Sequence, residues 1–567
     1  MHDLKIVGGS VVSVETGEMW RADVIIDGDT ITALVEPGAS CPARDEISAE
    51  GKLVVPGFID AHVHVESSML TPITFAQGTL ARGTTTVLAD PHEIVNVAGI
   101  AALKWMITQG AGTRQSMFWA VPSCVPSLDG LETAGATLTA TDIDEALSLP
   151  GVIALGEVMD YRAVVRGSSR MQEILAVARE HDVVIDGHCP DLEGEELQRY
   201  LAAGIDSDHC KNHAESVRQK LRLGMTLMMQ EKSFTPEVMS VFESLPRVPD
   251  VCIVTDDIAA DVIFRHGHLD HVARVARAAG MPALSVLRAL TVNPARRLRL
   301  HDRGVVAPGK RADVVVVNDL DSFTVSAVIA GGVPVQSIPP SVTSPKGFVD
   351  SLKIASIETA SREWLVDLPD GEYPFRALRV NHIDTFTEED QIVLPVRDGV
   401  VGWEGKCARV SVVERHTASG RVTHAPVLGM DLEPGAVCTS YAHDSHNLTV
   451  IATSAEYAQQ AFTRVVALGG GIVVRAKTGD AELGLPIGGV MTDAPLHVVA
   501  DATAQIRSAL EEWGWSHRIP FMSISTLTLP VSPALKVSDY GLIRVLDRAL
   551  VSATTAPTQG EREVTIK

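Results

Sequence analysis

Two histidines one residue apart, His62 and His64, stand in the segment Pro56-Gly57-Phe58-Ile59-Asp60-Ala61-His62-Val63-His64. Side chains alternate faces in an extended chain, so both imidazoles point the same way and can grip one ion. A lone pair of this kind could equally be two partly exposed loop histidines. Four more residues keep it company: Glu157 in Gly156-Glu157-Val158, His188 in Asp186-Gly187-His188, His209 in Asp206-Ser207-Asp208-His209, and Asp256 in Val254-Thr255-Asp256. Alone, each has a bland explanation, such as a helix cap for Glu157 or Asp256 or a core hydrogen bond for His188. Yet each closes an apolar run, and imidazole mixed with carboxylate is a donor set for Zn, Mn or Fe.

Apolar runs at 53–59, 84–89, 116–121, 152–156, 183–186, 205–208, 225–229 and 251–255 alternate with longer segments of helical character. That alternation predicts βα units and a parallel sheet. Eight such units fit a TIM-type (β/α)8 barrel, where polar residues just past the strand ends face the active site. Residues 1–50 read as short strands punctuated by Gly8-Gly9, Gly17 and Asp27-Gly28-Asp29, and strands are expected again at 305–308 and 313–317. The expected α/β architecture is therefore a barrel over 53–303 and a small β-sandwich from both barrel flanks, 1–52 and 304–340. A Pro- and Ser-rich linker at 337–345 then leads to an additional C-terminal α+β domain over 346–567.

Composition limits the partners. A chain of 567 residues is too long for one ordinary core, and its net charge of −23, with basic residues scattered, would repel nucleic acid and anionic lipid. No stretch approaches the roughly 18–20 apolar residues of a membrane span, and the first residues lack the character of a signal peptide. Seven cysteines without a CxxC pair read as reduced thiols. The expectation is a cytoplasmic enzyme, a homo-oligomer by the habit of large soluble enzymes, acting on a small neutral or cationic molecule.

Longer motifs narrow the reading. Glu66-Ser67-Ser68-Met69-Leu70-Thr71-Pro72, Arg82-Gly83-Thr84-Thr85-Thr86 and Ala89-Asp90-Pro91-His92-Glu93 follow the His pair, and Ala442-His443-Asp444-Ser445-His446-Asn447 and Leu485-Pro486-Ile487-Gly488-Gly489-Val490-Met491 lie near the C-terminal end. With these motifs the chain resembles the adenine deaminase family of the amidohydrolase superfamily along most of its length. Many superfamily members bridge two metals with a carboxylated lysine on strand four, where this sequence has Glu157. The resemblance implies a binuclear site. His62, His64 and Asp256 would hold one ion, His188 and His209 the other, and Glu157 would bridge them, with Mn or Fe favoured and Zn possible. It also implies hydrolytic deamination of adenine to hypoxanthine and ammonia. A metal-bound hydroxide, its water acidified from a pKa of about 15.7 toward neutrality, would attack C6, and Asp256 would relay a proton to the leaving amine. Glu66, Asp90, His92 and Glu93, with His443, Asp444, Ser445 and His446, are candidates for substrate binding or proton transfer. For Glu66 and Glu93 a helix start explains the residue equally well, and the 443–447 cluster could serve only its own domain.

Three rivals remain in view. His64-Val65-Glu66 matches the HxE of nucleic-acid deaminases, but their downstream Pro-Cys-x-x-Cys is missing. Hydrolysis of a cyclic amide, or deamination of another aminated heterocycle, would use the same dinuclear site. A degenerate, non-catalytic relative would typically have lost ligands, and all six are present.

Overall fold

The computed structural model describes residues 1–190, 192–210, 212–335, 347–348 and 350–555, so the expected linker at 337–345 lies outside the described residues. They divide into two units. One contains 1–91, 104–123 and 139–345, and the other contains 92–103, 124–138 and the C-terminal residues from 346 on.

In the first unit, the parallel strands that carry the site are β1 (Phe58–His64), β2 (Thr84–Ala89), β3 (Ser116–Val121), β4 (Val152–Val158), β5 (Val184–Gly187), β6 (Ser207–Asp208), β7 (Thr226–Met229), β8 (Cys252–Ile253) and β9 (Asp256–Asp257). β1 to β5 pair in sequence order, β6 to β8 do the same, and β9 returns to β1 with Asp256 opposite Val63. This is the curled parallel sheet of a TIM-type barrel, its last position split between β8 and β9. Near-continuous burial explains why these strands read as apolar runs rather than alternating ones. Ile59, Ala61, Leu88, Ala120, Ala154, Met228 and Val254 fill the interior. Helices cover the outside with one face each. Leu269–Ala278, for example, buries Leu269, Val272, Ala273 and Ala276, a spacing of three and four residues. Between β5 and β6, Gly187 donates its N–H to Ser207 Oγ, and a Cβ there would collide with the Ser207 carbonyl.

The run 53–59 does not form one strand. Leu53–Pro56 pairs antiparallel with Val314–Val317 and parallel with Ser10–Val12, in a six-stranded sheet drawn from both flanks of the barrel. Only Phe58–His64 enters the barrel. A second, four-stranded sheet (His2–Val7, Asp23–Asp27, Thr30–Val35, Ala43–Ser48) shares a core with it through Leu4, Ile6, Val24, Val54, Val314 and Val316. The strand expected at 305–308 is instead a loop. Gly304 at φ 88° and the turn in which Lys310 N–H donates to the Ala307 carbonyl deny it a ladder, although Val306 still buries its side chain in that core.

The second unit is α+β. Its nine-stranded sheet is antiparallel except where Gly371–Arg379 runs parallel to Val422–Leu428. Helix Ala455–Ala467 lays Ala458, Ala461, Phe462 and Val465 onto it. Helix α1 (His92–Ala111) breaks at Gly99, and its first part, 92–103, belongs to this unit. Among the described residues no helix is long and apolar enough to cross a membrane.

Glu132, also in this unit, gives a pH test. Ser127 and Leu128 donate to its Oε1 at 2.5 and 3.2 Å, yet burial, reinforced by Asp444, pushes the carboxyl up to about 8. The folded chain therefore holds a proton that the unfolded chain releases near 4.5. The stability this confers is full below about 4.5 and lost as pH rises through about 8. Glu132→Gln has no proton to lose, so its unfolding free energy from urea titration should fall less between pH 5 and 8, by an amount on the order of a few kcal/mol. Parallel curves of unfolding free energy against pH for the two proteins would disprove this.

Candidate metal centre and active site

Strand geometry brings His62, His64, Glu157, His188, His209 and Asp256 together. His62 and His64 end β1 two residues apart, and their rings stand edge to face at 4.8 Å. Asp256 follows β8 with a left-handed backbone, φ 56°, uncommon for a residue with a side chain. That conformation accompanies an Oδ1 placed 3.1 Å from His64 Nε2 and 3.5 Å from His62 Nε2. Glu157, near the end of β4, divides its carboxylate. Oε1 lies 3.2 Å from His64 Nε2, whereas Oε2 lies 2.6 Å from His188 Nδ1 and 3.1 Å from His209 Nε2. All but His188, whose side chain is 29% accessible, are buried.

The residues around them hold this arrangement. Asp186 Oδ2 is 3.2 Å from His62 Nδ1, and Arg297 anchors Asp186 at 2.6 Å. His64 Nδ1 donates to the Asp90 carbonyl at 2.9 Å, and Asp90 Oδ2 accepts the Glu157 N–H at 2.9 Å. Gly156 is required beside it because a Cβ would fall on the Asp90 carboxylate. Both ring nitrogens aimed at the centre thus have a partner fixing the other face of the ring, as metal-binding histidines usually do.

The donor set suits divalent cations. Ligand atoms about 2.0–2.2 Å from one tetrahedral ion lie roughly 3.3–3.6 Å apart, which is close to the separations around Asp256 Oδ1 and Glu157 Oε1. His62 Nε2 is buried without a hydrogen bond. Burial alone would lower the pKa of His62, but Asp186 and Asp256 outweigh it and lift it to about 10. Burial likewise opposes ionisation of Glu157 and Asp256, yet the imidazoles, His209 first, hold both well below the usual carboxylate range. A field that keeps protons on imidazoles would favour cations in their place. Cys189 and Cys210, next to His188 and His209, are pushed up by burial and stay thiols, so no thiolate joins the set.

Of the other sequence candidates, Asp90 lies with the barrel group, its carboxylate within 4.8 Å of the ligand atoms of His64 and Glu157. Glu66 is buried in the single 3-10 turn Val65–Ser68 after His64. Asp90 positions Glu157 and His64. In the second unit, His92, Glu93, His443 and Asp444 converge, their ligand atoms within 4.8 Å of one another, and His446 adjoins them. Ser445 does not enter this group; its hydroxyl accepts from Asn447 and its carbonyl from His416.

Gln230, absent from the sequence candidates, lies one residue past β7. Its amide donates to Asp256 Oδ2 at 2.5 Å and to the His209 carbonyl at 2.8 Å. The strand-end rule pointed to this position. An amide, which neither titrates nor matches a ligand motif, gave no other signal. Asp186 was visible in Asp186-Gly187-His188, but its partner His62, 124 positions away, was not. Gln230→Leu should lower kcat/KM by about 10–100-fold, the usual cost of losing a residue that supports a ligand, with bound metal measured alongside; unchanged kinetics would rule out the role.

A parallel barrel ending in an imidazole–carboxylate cluster defines a metal-dependent hydrolase of the amidohydrolase class, and the model of the amidohydrolase family matches residues 53–335. The adenine deaminase C-terminal domain matches residues 384–549. The chain belongs to the adenine deaminase family: it is 37% identical over 560 residues to adenine deaminase 2 of Shouchella clausii, covering 96% of this chain and 98% of that one. Adenine deaminase of Clostridium perfringens is 35% identical, covering 90% of this chain and 92% of its own length, and that of Cereibacter sphaeroides is 36% identical, covering 96% of each.

Proposed function

We propose that this chain hydrolyses adenine to hypoxanthine and ammonia at the barrel centre, with His62, His64 and Asp256 holding one divalent ion, His188 and His209 a second, and Glu157 bridging them. The division of Glu157 between two sets of imidazoles carries the binuclear reading, and kinship with adenine deaminases over nearly the whole chain carries the substrate. Bound there, the ions would supply a water acidified toward neutral pH. Asp256, ionised and braced by Gln230 at Oδ2, accepts a proton from the attacking water and delivers it to the departing amine, which leaves poorly unless protonated. Glu157 and Asp256 carry the negative charge that offsets the ions. Asp90 keeps β4 and His64 in register, and Glu66, in the turn just past the end of β1, is proposed to face the substrate. A donor set of nitrogen and oxygen without thiolate supports Mn or Fe, with Zn also compatible. The seven free cysteines support a cytoplasmic setting, and a homo-oligomer is proposed on general grounds.

The test is turnover of adenine, adenosine and dihydroorotate by protein purified with added Mn, read as ammonia release and as the ultraviolet change of the purine. Adenine alone should react. Ammonia from none of them, in protein carrying both barrel ions, would remove adenine as the substrate, and dihydroorotate turnover would restore the cyclic-amide alternative.

A further inference from the structure

We propose that the second unit carries a divalent-cation site of its own, formed by His92 Nε2, Glu93 Oε1, His443 Nδ1 and Asp444 Oδ1. None of the four is among the six proposed barrel ligands, and all four side chains are buried. The proposal does not rest on the deaminase reading.

Glu93 divides its carboxylate between two jobs. Ala442 N–H donates to His446 Nδ1 at 3.2 Å, so that nitrogen is unprotonated and Nε2 carries the hydrogen. His446 therefore donates to Glu93 Oε2, at 2.5 Å, and fixes the carboxylate as a supporting residue rather than a ligand. Oε1 is left facing His443 Nδ1 at 2.6 Å and His92 Nε2 at 3.4 Å.

Asp444 tells an ion site from an ordinary hydrogen-bond network. Its Oδ1 is 3.5 Å from His443 Nδ1 and 3.9 Å from His92 Nε2, too far for strong hydrogen bonds. Its Oδ2 is buried with no hydrogen-bond partner. A buried carboxylate without close donors is costly. With ligand atoms around one tetrahedral ion roughly 3.3–3.6 Å apart, the separations of 3.4 and 3.5 Å fit a shared cation, and the third, 3.9 Å, would close slightly on binding. Only the 2.6 Å pair is closer, and it would open on binding. Two nitrogen and two carboxylate donors suit Mn, Fe or Zn.

The experiment uses the full chain, purified from Mn-supplemented medium and freed of loose metal by dialysis. Metal analysis should give about three ions per chain, and about two in Glu93→Ala and in His443→Ala. Anomalous scattering from wild-type crystals at the Mn edge should place the third ion within bonding distance of Glu93 and His443. That map decides whether or not the variants fold. No peak at the cluster, or a third ion that persists in both variants, overturns the proposal. A peak at the cluster with none in the barrel would uphold it while overturning the binuclear barrel site.

Discussion

Glu157→Gln is expected to lower kcat/KM for adenine by about a thousand-fold or more, roughly 4 kcal/mol in the barrier, and to leave the barrel with one ion or none. Glutamine keeps the size of the side chain but has only one oxygen. The other position becomes an NH2, which would aim hydrogens either at His64 or at His188 and His209, where the carboxylate now presents its two oxygens. The variant also loses the charge that His209 and His188 stabilise. Metal content and steady-state kinetics on the same preparation check this. Both barrel ions retained, with near-normal turnover in the variant, would exclude a bridging role.

Asp256→Asn should separate chemistry from binding. Asparagine can still offer an oxygen toward His62 and His64, and it tolerates the left-handed backbone found here better than most residues. Metal should therefore be retained while kcat falls by about 10²–10⁴-fold, the range for losing a general acid–base group. Asp256→Ala would add a backbone cost and lose metal as well, so the Asn variant is the cleaner probe. An Asn variant that keeps both metal and wild-type kcat would require another base.

The barrel residues could be picked out because the fold puts polar side chains just past the ends of apolar strands, and chemistry-bearing residue types stand out there. Legibility fails where two sheets share one run of sequence. Nothing in the hydrophobicity of 53–59 marks the handover from the flank sheet to the barrel, although Pro56-Gly57, whose glycine N–H donates to the Asp313 carbonyl, was a usable sign. The strand expected at 305–308 fails for the opposite reason: Val306 earns its apolar character from burial in a loop. Gln230 and Asp186 act through long-range partners, which no local pattern records. The motif Asp90-Pro91-His92-Glu93 reads as one strand end, yet Asp90 braces Glu157 while Glu93 pairs with His443 and His446.

The second unit's inventory of segments also has a consequence for synthesis. Residues 92–103 and 124–138 belong to it, but a ribosome makes them long before the rest. Leu128 and Leu131 share a small apolar cluster with Ile543, and the Leu131 carbonyl waits for the Ser538 hydroxyl, 407 residues further along. Until then these pieces have no finished partner and are open to chaperones or to association between chains. A fragment beginning at 346 would lack the same pieces, so the boundary that looks like a clean cut in the sequence is a poor place to divide the protein.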